Sequence, residues 1–152
     1  MRNLRSTLIA FALLSGMAGT QALAVDSIAS TDAPDLTAVR AKIKAKDWNG
    51  AVTDLNGMID KGVQHADVYN LLGFSLRNKG DTKSAQTYYA KALDFDPDHK
   101  GALEYQGEMF VKLGQFDKAQ ANLTKLAKLC PQGCEEREDL EEAIKTKVVK
   151  EH

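Results

Sequence analysis

The sequence is poor in residue types that carry chemistry of their own: its 152 residues include two cysteines, three histidines and one tryptophan. The histidines, His65, His99 and His152, have no helical i, i+4 spacing, and we expect each in a solvated connection or at the chain end. No H-E-x-x-H, nucleophile-elbow or phosphate-loop motif occurs, and the carboxylates form no isolated pair in an apolar setting. The sequence therefore predicts no enzyme and no cofactor.

A surplus of positive charge is also missing. Lysine and arginine number 20 against 21 aspartates and glutamates, which gives a formal net charge of −1. Nucleic-acid binding would show as a clustered basic surplus, so nucleic acid is not an expected partner. Long hydrophobic runs are missing too, except for one close to the N-terminus.

That run, residues 8–18, has the features of a secretory signal peptide. Arg2 and Arg5 precede it, and Ala22-Leu23-Ala24 follows with the small-x-small pattern that signal peptidase cuts after. A membrane-spanning helix is the other interpretation, but it needs about 20 apolar residues and this run is shorter. The sequence predicts a signal peptide over residues 1–24.

Cleavage near Ala24 would leave 128 residues. Residues 1–24 contain two arginines and no acid, so the net charge would change to −3. No membrane-spanning segment would remain, and residues 25–33 would form a flexible polar lead-in. Export predicts a periplasmic or secreted protein in an oxidising compartment, where disulfides persist.

From Pro34 onward helix formers dominate, and the chain repeats itself every 34 residues. The segments AKDWNGA, KGDTKSA and LGQFDKA end at Ala51, Ala85 and Ala119 in strict register. A helix–turn–helix unit of this period resembles the tetratricopeptide repeat. The middle copy carries the resemblance in Tyr69, Leu72, Gly73, Gly80, Ala85, Tyr89, Ala92 and Pro97. The third copy carries it in Gly107, Phe110, Gly114, Ala119, Leu123 and Pro131.

The glycines and prolines have physical roles in such a unit. We expect Gly73 and Gly107 to let the two helices of a unit approach closely. Gly80 and Gly114 should end the first helix of each unit in a left-handed cap. The prolines should stop each unit, because proline cannot continue a helix.

The resemblance predicts an all-α, helix-pair solenoid of about three repeats over residues 34–131. The second repeat covers 66–99 and the third 100–131. The first is degenerate: its first helix, from about Pro34 to Ala45, has Val39 where the others have glycine. Residues 132–152 should form a capping helix, with acids at its start, lysines at its end, and an apolar stripe of Leu140, Ala143, Ile144 and Val148.

The segment CPQGC holds both cysteines, Cys130 and Cys134. Residues four apart in helix-like geometry place their Cα atoms about 6 Å apart, within disulfide range. A disulfide is favoured, and the stretch is similar to the Cys-turn-Cys-Glu-Glu endings of small exported bacterial repeat proteins. Binding of a soft metal such as Cu(I) and redox exchange are the alternatives left open.

The resemblance also implies a groove lined by the first helix of each repeat. Its predicted binding residues are Asn70, Phe74, Arg77, Glu104 and Glu108, with Leu36, Arg40 and Ile43 added by the first repeat. Relatives that clamp a C-terminal carboxylate use basic residues on this face, and Glu104 and Glu108 argue against that mode. Phe74 is either an exposed ligand anchor, the favoured interpretation, or a side chain packed against the first repeat.

Two functions follow from these observations. The favoured one is a non-catalytic adaptor that binds a peptide or a helix of another protein, with pairing of two copies through the groove left open. The alternative is a metal- or thiol-handling accessory protein built around Cys130 and Cys134.

Overall fold

The computed structural model describes residues 33–150, so the predicted signal peptide lies outside the described residues. The described part folds into seven helices and contains no strand. None of these helices is long and apolar enough to cross a membrane. They are α1 (Thr37–Lys44), α2 (Trp48–Asp60), α3 (Ala66–Asn78), α4 (Thr82–Phe95), α5 (Lys100–Lys112), α6 (Phe116–Leu129) and α7 (Glu135–Thr146).

Equivalent helices begin 34 residues apart, which is the period of the sequence. Helices α2, α4 and α6 begin at Trp48, Thr82 and Phe116, and helices α3 and α5 begin at Ala66 and Lys100. Each helix packs on the next along the chain, and α7 packs on both α5 and α6. The fold is therefore an all-α solenoid of helix pairs with a C-terminal capping helix, as the resemblance implies.

The glycines after α3 and α5 have the conformation expected of them. Gly80 and Gly114 have positive φ angles of 89° and 68°. After α3 the N–H of Gly80 donates to the carbonyl of Arg77, and the N–H of Asp81 donates to that of Leu76. This is the Schellman arrangement, which satisfies carbonyls at the helix end and turns the chain towards the next helix.

The two glycines inside these helices differ in what they contact. A Cβ on Gly73 would lie 2.8 Å from the ring of Tyr89 in α4, so this glycine does bring the helices of one unit together. A Cβ on Gly107 would instead lie 2.5 Å from Leu140 in the capping helix. The expectation for Gly107 was therefore wrong, because the tight contact joins the third repeat to α7.

The first repeat begins with a short helix. Helix α1 starts at Thr37, three residues after the expected Pro34, and the carboxylate of Asp35 accepts a hydrogen bond from the N–H of Thr37. Val39 is buried, and α1 packs on α2. Val39 thus fills the position where the later repeats have glycine.

The capping helix is shorter than the predicted 132–152. It ends at Thr146, followed by Lys147 with a φ angle of 58°. Leu140 and Ala143 are buried, but Val148 is 68% exposed. Val148 was therefore wrongly included in the apolar stripe, because the chain leaves the helix before reaching it.

Candidate peptide-binding groove

A groove runs along the first helix of each unit, between α1, α3, α5 and α7. It consists of two adjoining pockets that share Arg40, Leu71 and Tyr105. Its lining follows the repeat period, since Leu71, Tyr105 and Asp139 are each 34 residues apart and so are residues 67, 101 and 135. The repeat period therefore accounts for six positions of the groove lining as well as for the starts of the helices.

The first pocket, here called the apolar pocket, has a volume of about 340 Å³. Ile43, Leu71, Phe74 and Tyr105 supply its apolar surface. Its charged lining residues are all basic and come from α1 or the turn after it: Arg40, Lys44 and Lys46.

The second pocket, here called the acidic pocket, has a volume of about 270 Å³. It lies on the α7 side of the groove. Asn70, Gly101 and His99 are among its lining residues, with Arg40 as its basic member. Five carboxylates line it: Asp67, Glu104, Glu135, Glu136 and Asp139.

Phe74 is buried, with 3% of its surface exposed. Its ring packs edge-on against Trp48 of the first repeat at a centroid distance of 5.9 Å, and lies 4.8 Å from the ring of Tyr105. Phe74 also lines the apolar pocket. Phe74 is therefore not exposed: it packs against the first repeat, as the second interpretation expected, and forms part of the pocket wall, while its role in ligand binding stays a prediction.

Arg77 and Glu108 form a buried ion pair beside the groove. The Nη1 atom of Arg77 lies 2.9 Å from Oε2 of Glu108, and the two side chains are 6% and 0% exposed. The same nitrogen donates to the carbonyl oxygen of Tyr105, and the guanidinium lies against the rings of Phe74 and Tyr105. Both were predicted to be binding residues, but they pair with each other and line neither pocket of the groove.

Glu104 and Asn70 lie together in the acidic pocket, and each is about 95% buried. Burial, together with the neighbouring carboxylates of Glu108, Asp139 and Glu136, raises the pKa of Glu104 to about 8. The Oδ1 atom of Asn70 is buried and has no hydrogen-bond partner. A buried acceptor without a donor is costly, so a ligand that offers an N–H would satisfy this site.

Tyr105 is a groove residue that sequence reasoning missed. It is half-buried, lines both pockets, and its pKa is raised to about 12, mainly by burial. Leu71, one period earlier, was missed as well, because the predicted groove residues Asn70 and Phe74 shift by one period to 104 and 108.

His65 and His99 are also not the solvated loop residues that were expected. Each is the residue before a helix, α3 or α5, and its Nδ1 atom accepts a hydrogen bond from the backbone N–H of Asp67 or Ala102. The Nε2 atom of His99 lies 3.0 Å from Oδ1 of Asp67. Both histidines line an open pocket of about 540 Å³ at this end of the groove. His152 lies outside the described residues.

The two cysteines are at disulfide distance. The Sγ atoms of Cys130 and Cys134 are 2.06 Å apart and their Cα atoms 5.9 Å apart. Among residues 33–150, no three histidine, cysteine, aspartate or glutamate side chains come together in a way that could hold a metal ion. The pair closes the turn between α6 and α7.

Comparison with known proteins agrees with the repeat period. Models of the tetratricopeptide repeat match residues 66–99, which contain α3 and α4, and residues 102–133, which contain α6 and all but the first two residues of α5. The chain is also 30% identical over 76 residues to the uncharacterized protein ycf37 of Pyropia yezoensis. That match covers 50% of this chain and 42% of ycf37, so the chain spans less than half of that relative. Two adjacent tetratricopeptide repeats are thus present, and such repeats stack into extended surfaces that bind other proteins.

Proposed function

We propose that this chain is a non-catalytic adaptor that holds an extended peptide or a helix of a partner protein in the groove between α1, α3, α5 and α7. The observation that carries the proposal is the apolar pocket, where Ile43, Leu71 and Tyr105 surround a volume of about 340 Å³. A pocket of this size accommodates one or two apolar side chains. The carboxylates and lysines around it would orient the ligand.

The adaptor acts outside the cytoplasm in this proposal, in the periplasm or as a secreted protein after cleavage near Ala24. The two cysteines at disulfide distance support this location, because disulfides persist in oxidising compartments. N-terminal sequencing of protein from the native cell tests it. A mature N-terminus at Val25 is expected, and recovery of the intact N-terminus from the cytoplasmic fraction would overturn it.

Site-specific crosslinking in the native cell tests the binding surface. A photoreactive residue replaces Ile43, which lies in the apolar pocket, or Gln86, which is exposed on α4 away from the groove. We expect a partner adduct from position 43 and none from position 86. Equal adducts at both positions, or an adduct only at position 86, would show that the groove is not the binding surface.

The metal- or thiol-handling alternative gains no support from a specific observation. Metal analysis of anaerobically purified protein provides its test, and a stoichiometric soft metal would favour it over the adaptor.

A further inference from the structure

The groove differs in charge between its two ends. Charged residues of the apolar pocket are all basic, whereas the acidic pocket has five aspartate and glutamate side chains and one arginine. Arg40, Leu71 and Tyr105 belong to both pockets, so a single bound segment would contact both. Such a groove favours a segment whose own charge changes sign along its length.

Part of the negative charge is compensated within the chain. Lys150 lies 2.7 Å from Asp139, and Lys100 lies 4.0 Å from Glu136. Both lysines are exposed, with 60% and 46% of their side-chain surface open to solvent, so each loses little when it leaves its carboxylate for water. A cation on a ligand could therefore replace them at little cost.

Asn70 gives a second, independent indication of a ligand. Its side chain is almost fully buried in the wall of the acidic pocket, and its Oδ1 atom has no hydrogen-bond partner. Gly101 faces the same amide: a Cβ at position 101 would lie 3.3 Å from Nδ2 of Asn70. Because Gly101 has no side chain, the pocket stays open beside the amide of Asn70, whose Oδ1 atom needs a hydrogen-bond donor.

We infer that the acidic pocket receives a lysine or arginine side chain of the bound segment, while the apolar pocket receives a neighbouring aliphatic or aromatic side chain. This inference rests on the proposed function and specifies its ligand. The cation meets the carboxylates of Glu104, Glu136 and Asp139, and an N–H of the segment donates to Oδ1 of Asn70. An acidic residue of the segment would meet Arg40, Lys44 or Lys46 at the other end.

Proton release would accompany binding of this cation. A positive charge beside Glu104 stabilises its carboxylate, and this carboxyl group is otherwise kept protonated by burial and by its acidic neighbours. The segment would therefore bind more tightly as the pH rises towards 8. An apolar segment without a lysine or arginine would show no such dependence.

A library of end-capped random heptapeptides, displayed against the chain beginning at Val25, tests the inference. We expect selected peptides to share one apolar position and one lysine or arginine position. If the selected peptides share an apolar position but no lysine or arginine position, the inference is overturned and the proposed function still stands. Failure to select any shared sequence, with the helical signal intact, would overturn both.

Neutral variants locate the cation. For a selected peptide, Glu136→Gln with Asp139→Asn should weaken binding by about tenfold or more, because hydrogen bonds between charged groups are lost. Asp94→Asn, which removes an exposed carboxylate of α4 outside the groove, should change the Kd by less than about twofold. The assignment of the cation to the acidic pocket would be overturned if Asp94→Asn changed the Kd as much as the double variant does. It would also be overturned if the double variant still selected peptides with a lysine or arginine position.

Discussion

Gly73 and Gly57 both lie within helices, but only Gly73 is in close contact with another side chain. Substitution of each by alanine should therefore change the stability of the fold in opposite directions. A Cβ on Gly73 would meet the fully buried ring of Tyr89, whereas a Cβ on Gly57 in α2 would meet nothing within 4 Å. We expect Gly73→Ala to lower the free energy of unfolding by about 1–3 kcal/mol through overpacking. Gly57→Ala should raise it by about 0.5–1 kcal/mol, because alanine loses less backbone entropy in a helix.

Urea unfolding followed by circular dichroism measures both changes. Each variant is the control for the other, because both substitute glycine by alanine inside a helix. Stabilisation by both substitutions would contradict the close contact between α3 and α4 at Gly73.

Glu104 should make the stability of the fold depend on pH. Its pKa is raised from 4.5 to about 8 in the folded chain, where Glu108, Asp139 and Glu136 face it along with Arg77. A group with a raised carboxyl pKa holds its proton better when folded, so its stabilising contribution is full below about pH 4.5 and is lost as the pH rises through 8. Glu104→Gln should therefore be more stable than the parent chain at pH 9, by on the order of 2 kcal/mol.

Thermal unfolding of the two proteins at pH 4 and pH 9 measures this difference. Asp94→Asn is the control, because its carboxylate is exposed on α4. If the difference in stability between Glu104→Gln and the parent chain is the same at pH 4 and pH 9, the raised pKa of Glu104 is contradicted.

At the level of single residues, the sequence predicts what depends on local geometry. Gly80 and Gly114 could be assigned to helix ends because a left-handed turn selects glycine whatever surrounds it. The burial of Phe74 and Glu108 could not be predicted, because it depends on Trp48 and Arg77 in other helices. The burial of such a side chain depends on its contacts with other helices, and the 34-residue period alone does not show these contacts.

At the level of elements, helix α7 continues the repeat beyond its last matched unit. Asp139 lies 34 residues after Tyr105, and both line the acidic pocket. Leu140 packs against Gly107, whereas the equivalent Gly73 contacts Tyr89 of α4, so α7 packs more closely on α5 than α5 packs on α3. The sequence predicts a capping helix here, but not that it contributes carboxylates to the groove.

The disulfide should stabilise the turn that places α7. Cys130 is the residue after α6 and Cys134 the residue before α7. Closing so short a loop stabilises the fold by roughly 2 kcal/mol in the chain-entropy treatment. We expect Cys130→Ser with Cys134→Ser to lower the free energy of unfolding by about that amount under oxidising conditions.

Denaturant unfolding with and without reductant measures this effect. The double variant should be insensitive to reductant, whereas the parent chain should lose stability when reductant is added. Two readily alkylated thiols in protein taken from its native compartment, read by intact mass, would contradict the disulfide.

At the level of the whole molecule, the period accounts for most of the fold. Ala51, Ala85 and Ala119 are fully buried, each in the second helix of its unit. The order of the helices could therefore be predicted from the spacing and the family resemblance that it carries, whereas the packing of α7 on Gly107 could not. The ligand-binding surface could be predicted only in outline, because the charges that line it differ from one repeat to the next.

The ion pair between Arg77 and Glu108 should couple the second repeat to the third. It joins α3 to α5 in the interior, where removing one partner leaves a buried charge and costs about 3–5 kcal/mol. Replacing both partners by apolar residues of similar size costs far less. We therefore expect Arg77→Met and Glu108→Leu to be strongly destabilising alone and much less so together.

A double-mutant cycle by urea unfolding measures the coupling energy. The half-buried pair Lys42 and Asp54, with an N–O distance of 2.6 Å, is the control. Its coupling should stay below about 1 kcal/mol, the scale of surface pairs. Because repeats are stabilised by contacts with their neighbours, each single change in the buried pair should also broaden the unfolding transition. Equal coupling energies for the two pairs would show that Arg77 and Glu108 do not hold the repeats together.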